Sequence, residues 1–435
     1  MEMKKYKLGE IADIQTGPFG SQLHNEDYVS EGTPIVTVEH LGNKFFTTQN
    51  LPLVSDNDKK RLKKYILKES DIVFSRVGSV DRCSFVSIKE AGWLFSGRCL
   101  RVRPNEHLVN PQWLYYFFTQ NNFKEYVRNK AVGCTMPSLN TELLSNLSIT
   151  HPELDYQQKI AAVLSSLDDK IALNNRINAK LEQMAKRLYD YWFVQFDFPR
   201  SVSGEPCLHE LSRTDDGNAR SDFPNADGKL YKSTGGKMVW NEELKREIPE
   251  RWEVKSIFDA ADVIYGFPYV TEPFDENVEE SNKPYSIIRI RDILENSISA
   301  KTTESVDDKY KTKIGDLLIG MDGYFHMNFW SRDNDYVNQR IVRIRKKDVS
   351  TLILYHQVLP FIKFKEEKAK GSTVGHLSDK DMKQIKVLIP NNKDLNVKFD
   401  TILSMMMARR QENLKLTAVR DKLLPLLMNG QVVVK

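Results

Sequence analysis

Ile160, Leu164, Leu167, Ile171, Asn174, Asn178, Leu181, Ala185 and Leu188 follow one another at spacings of four and three. That alternation is the period of a coiled-coil seam, so residues 153–195 predict one long helix with a single buried edge. The same rhythm returns near the other end of the chain, in Phe399, Ile402, Met406, Arg409, Asn413, Leu416, Arg420, Leu423 and Leu427. It predicts a second long helix over 392–430, with Gly430 placed to stop it. Central Asn residues in the first stripe lower stability and fix register, a common use in paired helices. The plainer alternative is two amphipathic helices packed on a globular core. Away from the helices, short β-branched runs such as Pro34-Ile35-Val36-Thr37-Val38 and Asp71-Ile72-Val73-Phe74 predict strands. The pattern is therefore a mixed one, α/β in the α+β sense.

These elements occur twice. Leu8-Gly9-Glu10-Ile11-Ala12-Asp13-Ile14-Gln15-Thr16-Gly17 is echoed by Ile257-Phe258-Asp259-Ala260-Ala261-Asp262-Val263-Ile264-Tyr265-Gly266. Pro34 to Val38 corresponds to Ser286 to Ile290, and Asp71 to Gly78 corresponds to Asp316 to Gly323. Ser96-Gly97-Arg98-Cys99-Leu100-Arg101-Val102-Arg103 matches Asn338-Gln339-Arg340-Ile341-Val342-Arg343-Ile344-Arg345. Gly133-Cys134-Thr135 through Leu139 matches Gly371-Ser372-Thr373 through Leu377. Landmarks recurring in one order, with a slowly drifting offset, mark an internal duplication. The chain then divides into a first domain at 1–152, a helix at 153–195, a linker at 196–245, a second domain at 246–391 and a helix at 392–430. The linker is rich in Gly, Ser, Asp and Lys. It holds an insertion-like stretch, 200–221, bracketed by Arg200-Ser201 and Arg220-Ser221. A helix of about 30 residues, at roughly 1.5 Å per residue, is a rod of about 45 Å. Domains at its two ends could contact points about 34 Å apart, one turn of duplex DNA.

Composition narrows the function classes. The 435 residues exceed one ordinary domain, and 40% hydrophobic with 28% charged residues is a globular balance. No run of apolar residues is long enough to span a membrane, and the N-terminus lacks the apolar core of a signal peptide. Cys83, Cys99, Cys134 and Cys207 are scattered and read as reduced thiols of a cytoplasmic protein, with no zinc spacing among them. A net charge of +4 permits nucleic-acid binding without arguing for it. Catalytic signatures are missing: no phosphate loop, no His-Glu-x-x-His, no nucleophile elbow, no Gly-x-Gly-x-x-Gly turn and no amino-methyltransferase motif. The expectation is a chain without catalytic or metal-binding residues.

The repeat, the segment from Gly133 to Pro152, the first long helix, Tyr189-Asp190-Tyr191-Trp192-Phe193-Val194-Gln195-Phe196-Asp197-Phe198 and Gly235-Gly236-Lys237-Met238-Val239-Trp240 together resemble the specificity subunit of Type I restriction–modification systems. The resemblance covers nearly the whole chain outside the insertion-like stretch. It implies two pseudo-repeated target recognition domains separated by two long antiparallel coiled-coil helices. It also implies double-stranded DNA and two modification subunits as partners, with restriction subunits joining them. The modification subunits bring S-adenosylmethionine and methylate adenine, while this chain binds no cofactor and selects the site.

Under that resemblance, base-reading side chains should sit on loops that follow repeated strands. In the first half these are Arg76, Ser79 and Arg82; in the second they are Tyr324, His326 and Asn328. Arg98 and Arg340, in the next repeated segment, are DNA-contact candidates whose matching positions suit either a shared structural role or shared backbone binding. Residues that differ between the halves are the better base readers, because the halves should read different sequences. Lys60, Lys63, Lys64 and Lys365 are candidates for phosphate contact. Gly17 and Gly266 are assigned to backbone turns. Leu164, Leu167, Ile171, Leu181, Leu416 and Leu423 should pack the helix pair. Tyr189, Tyr191, Trp192 and Phe193 form an aromatic patch suited to docking a partner, or equally to core packing. Two other readings stand beside this one: a coiled-coil scaffold that holds two protein-binding domains and never touches DNA, and an enzyme active as the chain alone.

Overall fold

Both stripes form helices of 36 residues, Leu154–Tyr189 and Lys393–Met428. The first continues into a π-helical turn, Asp190–Gln195. Gly430, at a φ of 68°, follows the second, in the left-handed region where glycine stops helices. The computed structural model describes residues 3–18, 22–133, 137–201, 226–233, 235–270, 274–278, 281–369 and 375–434. The chain divides into two units, the first Met1–Ala172 with Leu414–Lys435 and the second Leu173–Asn413. Each unit thus takes a piece of both long helices. Among the described residues no helix is long and apolar enough to cross a membrane.

In unit 1 the four-stranded antiparallel sheet runs in the order Ala12–Thr16, Cys99–Pro104, Ile72–Ser75, Cys83–Phe85. Its central strand is apolar on both sides because both sides are covered. Ile72 and Phe74 face a core that holds Trp113 and Phe118, whereas Val73 faces a second core with Ile35 and Phe95. A parallel pair, Thr33–Val36 with Leu94–Phe95, carries that second core. The strand Lys4–Lys7 pairs antiparallel with Ser148–His151.

Unit 2 repeats this plan. Its sheet runs Ala261–Tyr265, Ile341–Lys346, Leu317–Gly320, Met327–Phe329, with Tyr285–Ile288 parallel to Tyr336–Val337 and Glu253–Ser256 antiparallel to Lys386–Ile389. The duplicated Arg-x-Arg has a structural explanation in each copy. Arg103 grips the buried Asp71 through two bonds of 2.7 Å, and Arg345 grips the buried Asp316 through two of 2.7 Å. Arg101 pairs with Asp13, and Arg343 with Asp262. Gly17 and Gly266 are fixed by close approach. A Cβ on Gly17 would lie 2.1 Å from the Ser96 carbonyl oxygen, and one on Gly266 would lie 2.1 Å from that of Asn338.

Burial varies along the helix stripes. Ile160, Leu164, Asn174, Asn178, Leu181 and Ala185 are buried, while Leu167, Ile171, Leu416 and Leu423 are half-buried. Within unit 1, Leu164 shares one core with Leu423, Leu424 and Leu427, and Asp168 meets Arg420 at 2.8 Å. Within unit 2, the Asn174 amide donates to Asn413 Oδ1 at 2.8 Å, and the Asn178 amide to the Met406 carbonyl at 3.3 Å. Numbers rise along one helix as they fall along the other, so the pairing is antiparallel in both units.

The stretch 196–245 departs from the linker expected of it. Phe196 and Phe198 are buried, Pro199–Ser201 pairs with Ala226–Leu230, and Met238–Asn241 forms a hairpin with Arg246–Pro249. These parts belong to the core of unit 2, because their aromatic residues have a cluster to fill. Residues 202–221, the bulk of the insertion-like stretch, lie outside the described residues, as do Cys134, Thr135, Cys207, Gly371, Ser372 and Thr373. Cys83 and Cys99 are free thiols, and burial pushes both up to about 12, so they stay protonated.

A half-buried imidazole in unit 2 should make its stability depend on pH. His356 lies against Tyr189 (5.0 Å) and Tyr355 (5.2 Å), and its Nε2 has no hydrogen-bond partner. Burial first, then repulsion from Lys186, lowers its pKa to about 4 against the opposing pull of Asp190. The unfolded chain, with a His near 6.5, binds the proton earlier, so stability is complete above pH 6.5 and falls as pH drops toward 4. The loss expected is on the order of 3 kcal/mol. Urea unfolding of His356→Gln across this range should show a flatter curve than the unaltered chain; an equal slope would assign the effect elsewhere.

Candidate nucleic-acid interface

In unit 1, the turn after Ile72–Ser75 is pinned by backbone bonds. Arg76 N–H donates to the Arg98 carbonyl (2.8 Å), Gly78 N–H to that of Pro137 (2.9 Å), and Leu139 N–H to that of Arg76 (2.9 Å). Ser75 N–H donates to the Arg82 carbonyl at 2.9 Å, and Gly78 takes the left-handed turn at φ 77°. The turn faces an open cleft of about 780 Å³ lined by, among others, Tyr28, Glu39, Arg76, Arg82, Ser96 and Arg98. Three sequence-selected arginines therefore converge on one concavity. Arg76 is half-buried and donates through Nη1 to the Gly97 carbonyl at 3.0 Å, while Arg82 and Arg98 are exposed. Ser79 is exposed at the turn without lining the cleft. Tyr28 and Glu39 were not foreseen from the sequence; they come from a different segment, and only the fold brings them here. Burial first, then the neighbouring Asp27 carboxylate, raises the Tyr28 phenol above its ordinary range, so it remains a donor.

In unit 2 the same backbone frame recurs. Met321 N–H donates to the Arg340 carbonyl (2.9 Å), Gly323 N–H to that of Gly375 (2.9 Å), Leu377 N–H to that of Met321 (2.7 Å), and Gly320 N–H to that of His326 (2.8 Å). Gly323 has φ 72°. The side chains are another matter: Arg76, Ser79 and Arg82 are replaced at the equivalent places by Met321, Tyr324 and His326. Tyr324 is 72% exposed and lies parallel to His326, with ring centroids 6.1 Å apart. Arg340 is paired with Asp322 at 3.3 Å, and the same carboxylate bonds His376 at 2.6 Å. Asp322 has no acidic counterpart in unit 1, where Val77 takes its place. One frame thus presents two chemically different surfaces.

The model of the Type I restriction modification DNA specificity domain matches residues 1–183 and 249–413, one stretch for each repeat. The chain belongs to this family. The Type I restriction enzyme HindI specificity subunit of Haemophilus influenzae is 24% identical over 472 residues, covering 99% of this chain and 100% of that one. The MjaIX specificity subunit of Methanocaldococcus jannaschii is 24% identical over 353 residues, covering 77% and 72%. The crystal structure of a Type I restriction–modification S subunit from M. genitalium shares the fold, with a TM-score of 0.52 and 17% identity over 98% of this chain and 96% of that one.

Within this specificity-domain chain, Asn328 and Lys365 are engaged inside the protein, and the aromatic patch takes the second of its two expected roles. Asn328 spends its amide on the Ile293 and Leu294 carbonyls (3.1 and 2.9 Å), and its oxygen accepts from Phe329 N–H and Arg410. With donors and acceptor engaged inside the protein, it is a structural residue. Lys365 is ion-paired with Asp381, which holds its ammonium in place. Burial raises the Asp381 carboxyl, but bonds from Lys365 and Ser378 outweigh it and bring it to about 2. Trp192 and Phe193 are buried, and Tyr189 stacks on Phe193 at 4.9 Å, so the aromatic patch packs the core of unit 2. Tyr191 is half-buried beside them. Lys60, Lys63 and Lys64 are exposed on unit 1 around the short helix Asp56–Arg61, away from the cleft lining.

Proposed function

We propose that this chain selects the DNA target of a Type I restriction–modification system, each unit reading one half of a split, asymmetric sequence in double-stranded DNA. The observation that carries the reading is the repeated backbone frame with unlike side chains. A shared frame suits a shared way of meeting the duplex, and differing side chains suit differing base edges. In this reading the chain catalyses nothing and binds no cofactor. Two modification subunits dock on its helical region in the cytoplasm, bring S-adenosylmethionine and methylate adenine; restriction subunits join the same assembly.

The test is a methylation map of a methylation-free host carrying this gene with and without its modification-subunit gene. Methyladenine at one split motif, only when both genes are present, is the expected result. Tyr324→Ala should then relax the half read by unit 2 and leave the other half specified. If the proteins associate and no motif appears, the chain is a scaffold for two protein-binding domains. Methylation by the purified chain alone would make it an enzyme.

A further inference from the structure

Resting on the DNA-reading role proposed above, the geometry of the unit 1 cleft points to a particular base. Arg82 and Arg98 both line it and are exposed, and among the described residues neither guanidinium has a hydrogen-bond or ion-pair partner. They differ in the repeat. Arg98 recurs as Arg340, whereas the place of Arg82 in the frame is taken by His326. A feature common to both units carries no information that distinguishes their half-targets, which leaves Arg98 to the DNA backbone and Arg82 to a base.

We propose that Arg82 reads a guanine in the half-target bound by unit 1, and that Arg98 holds a phosphate beside it. Guanine presents two acceptors, O6 and N7, along its major-groove edge, and the planar guanidinium fork matches both. Adenine sets an N6 amino donor in the O6 position, which repels a guanidinium. The cleft is cation-rich, with Arg76, Arg82 and Arg98 against the carboxylate of Glu39 among its described lining residues. The Arg82 backbone is held in place, its carbonyl accepting from Ser75 N–H at 2.9 Å. Unit 2 offers no match for the base reader, because His326 stands in place of Arg82.

The experiment uses the full chain purified with its modification subunits and duplexes bearing the mapped target. Photo-crosslinking from p-benzoylphenylalanine placed at Ser79 identifies the half that unit 1 contacts. Each guanine is then replaced by 7-deazaguanine, which lacks the N7 acceptor. At one position in the crosslinked half, the replacement should weaken binding about tenfold. Arg82→Gln should erase that difference and tolerate other bases there, while Arg98→Gln should weaken all duplexes alike and flatten the salt dependence. Tolerance of 7-deazaguanine throughout that half overturns the proposal, and so does a crosslinked half with no specified guanine. Uniform weakening by Arg82→Gln with a flatter salt slope would make Arg82 a phosphate contact, which also ends it. The 7-deazaguanine measurement is made on the unaltered protein, so it stands even where a variant fails to fold. If the unaltered complex binds no sequence preferentially, the DNA-reading role falls first and this inference with it.

Discussion

Trp192→Ala should destabilise unit 2 by about 3–5 kcal/mol, the cost of emptying a fully packed aromatic site. Trp192 is 1% exposed and stacks on Phe198 at 4.4 Å with nearly parallel rings. Phe198 continues the stack to Tyr231 (4.7 Å) and Trp252 (5.6 Å), and Phe193 meets Trp252 edge-on at 5.1 Å. The residues come from the end of the first long helix, the stretch after it and the approach to the second repeat, so this cluster ties three sequence regions of unit 2 together. Urea unfolding followed by circular dichroism should show the transition of unit 2 moving to lower denaturant. Tyr191→Ala, at a half-buried position, should cost less. A Trp192→Ala chain with unchanged stability that no longer bound the modification subunits proposed as its partners would restore the docking role to this patch.

That cluster also marks where the sequence stopped being readable. A run of aromatics after an amphipathic helix has the composition of a docking patch and of a core alike; only the surrounding structure separates them. The stretch 196–245 misled for a related reason. Its Gly, Ser and Lys content is that of a linker, but Phe196, Phe198 and Tyr231 are spaced irregularly and meet only after Pro199–Ser201 pairs with Ala226–Leu230. Periodic features fared better, since the seam from Ile160 to Ala185 and the order of the repeat depend on spacing alone. Arg76, Arg82 and Arg98, picked out from the repeated segments, line one cleft of unit 1. Glu39 and Tyr28 were not picked out, since their place in the cleft depends on long-range pairing, of Tyr28–Val29 with Leu53–Val54 and of Thr33–Val36 with Leu94–Phe95. Asn328 was a candidate base reader by residue type and position, and its saturation by the Ile293 and Leu294 carbonyls is a long-range fact.

Removing Asp168 should cost unit 1 about 3–5 kcal/mol, the range for breaking a buried ion pair from one side. The carboxylate is 6% exposed, accepts from the Tyr116 hydroxyl at 2.6 Å and from Arg420 Nη1 at 2.8 Å, and so binds a domain helix to both long helices. Burial, then the Asp168 charge, raises the Tyr116 phenol far above its ordinary value, so it acts only as a donor. In Asp168→Ala the phenol loses its acceptor, and Arg420 keeps only the more exposed Asp421. Arg420→Ala is the informative counterpart. It leaves a buried carboxylate without its cation while keeping the Tyr116 bond. Urea midpoints of both variants and of the double variant give the coupling between the two side chains. Losses below about 1 kcal/mol in both single variants would mean the pair behaves as a screened surface contact. The register of the helices in unit 1 would then rest on the apolar packing of Ile160, Ala161 and Leu164 in one core with Leu424, Leu427 and Met428.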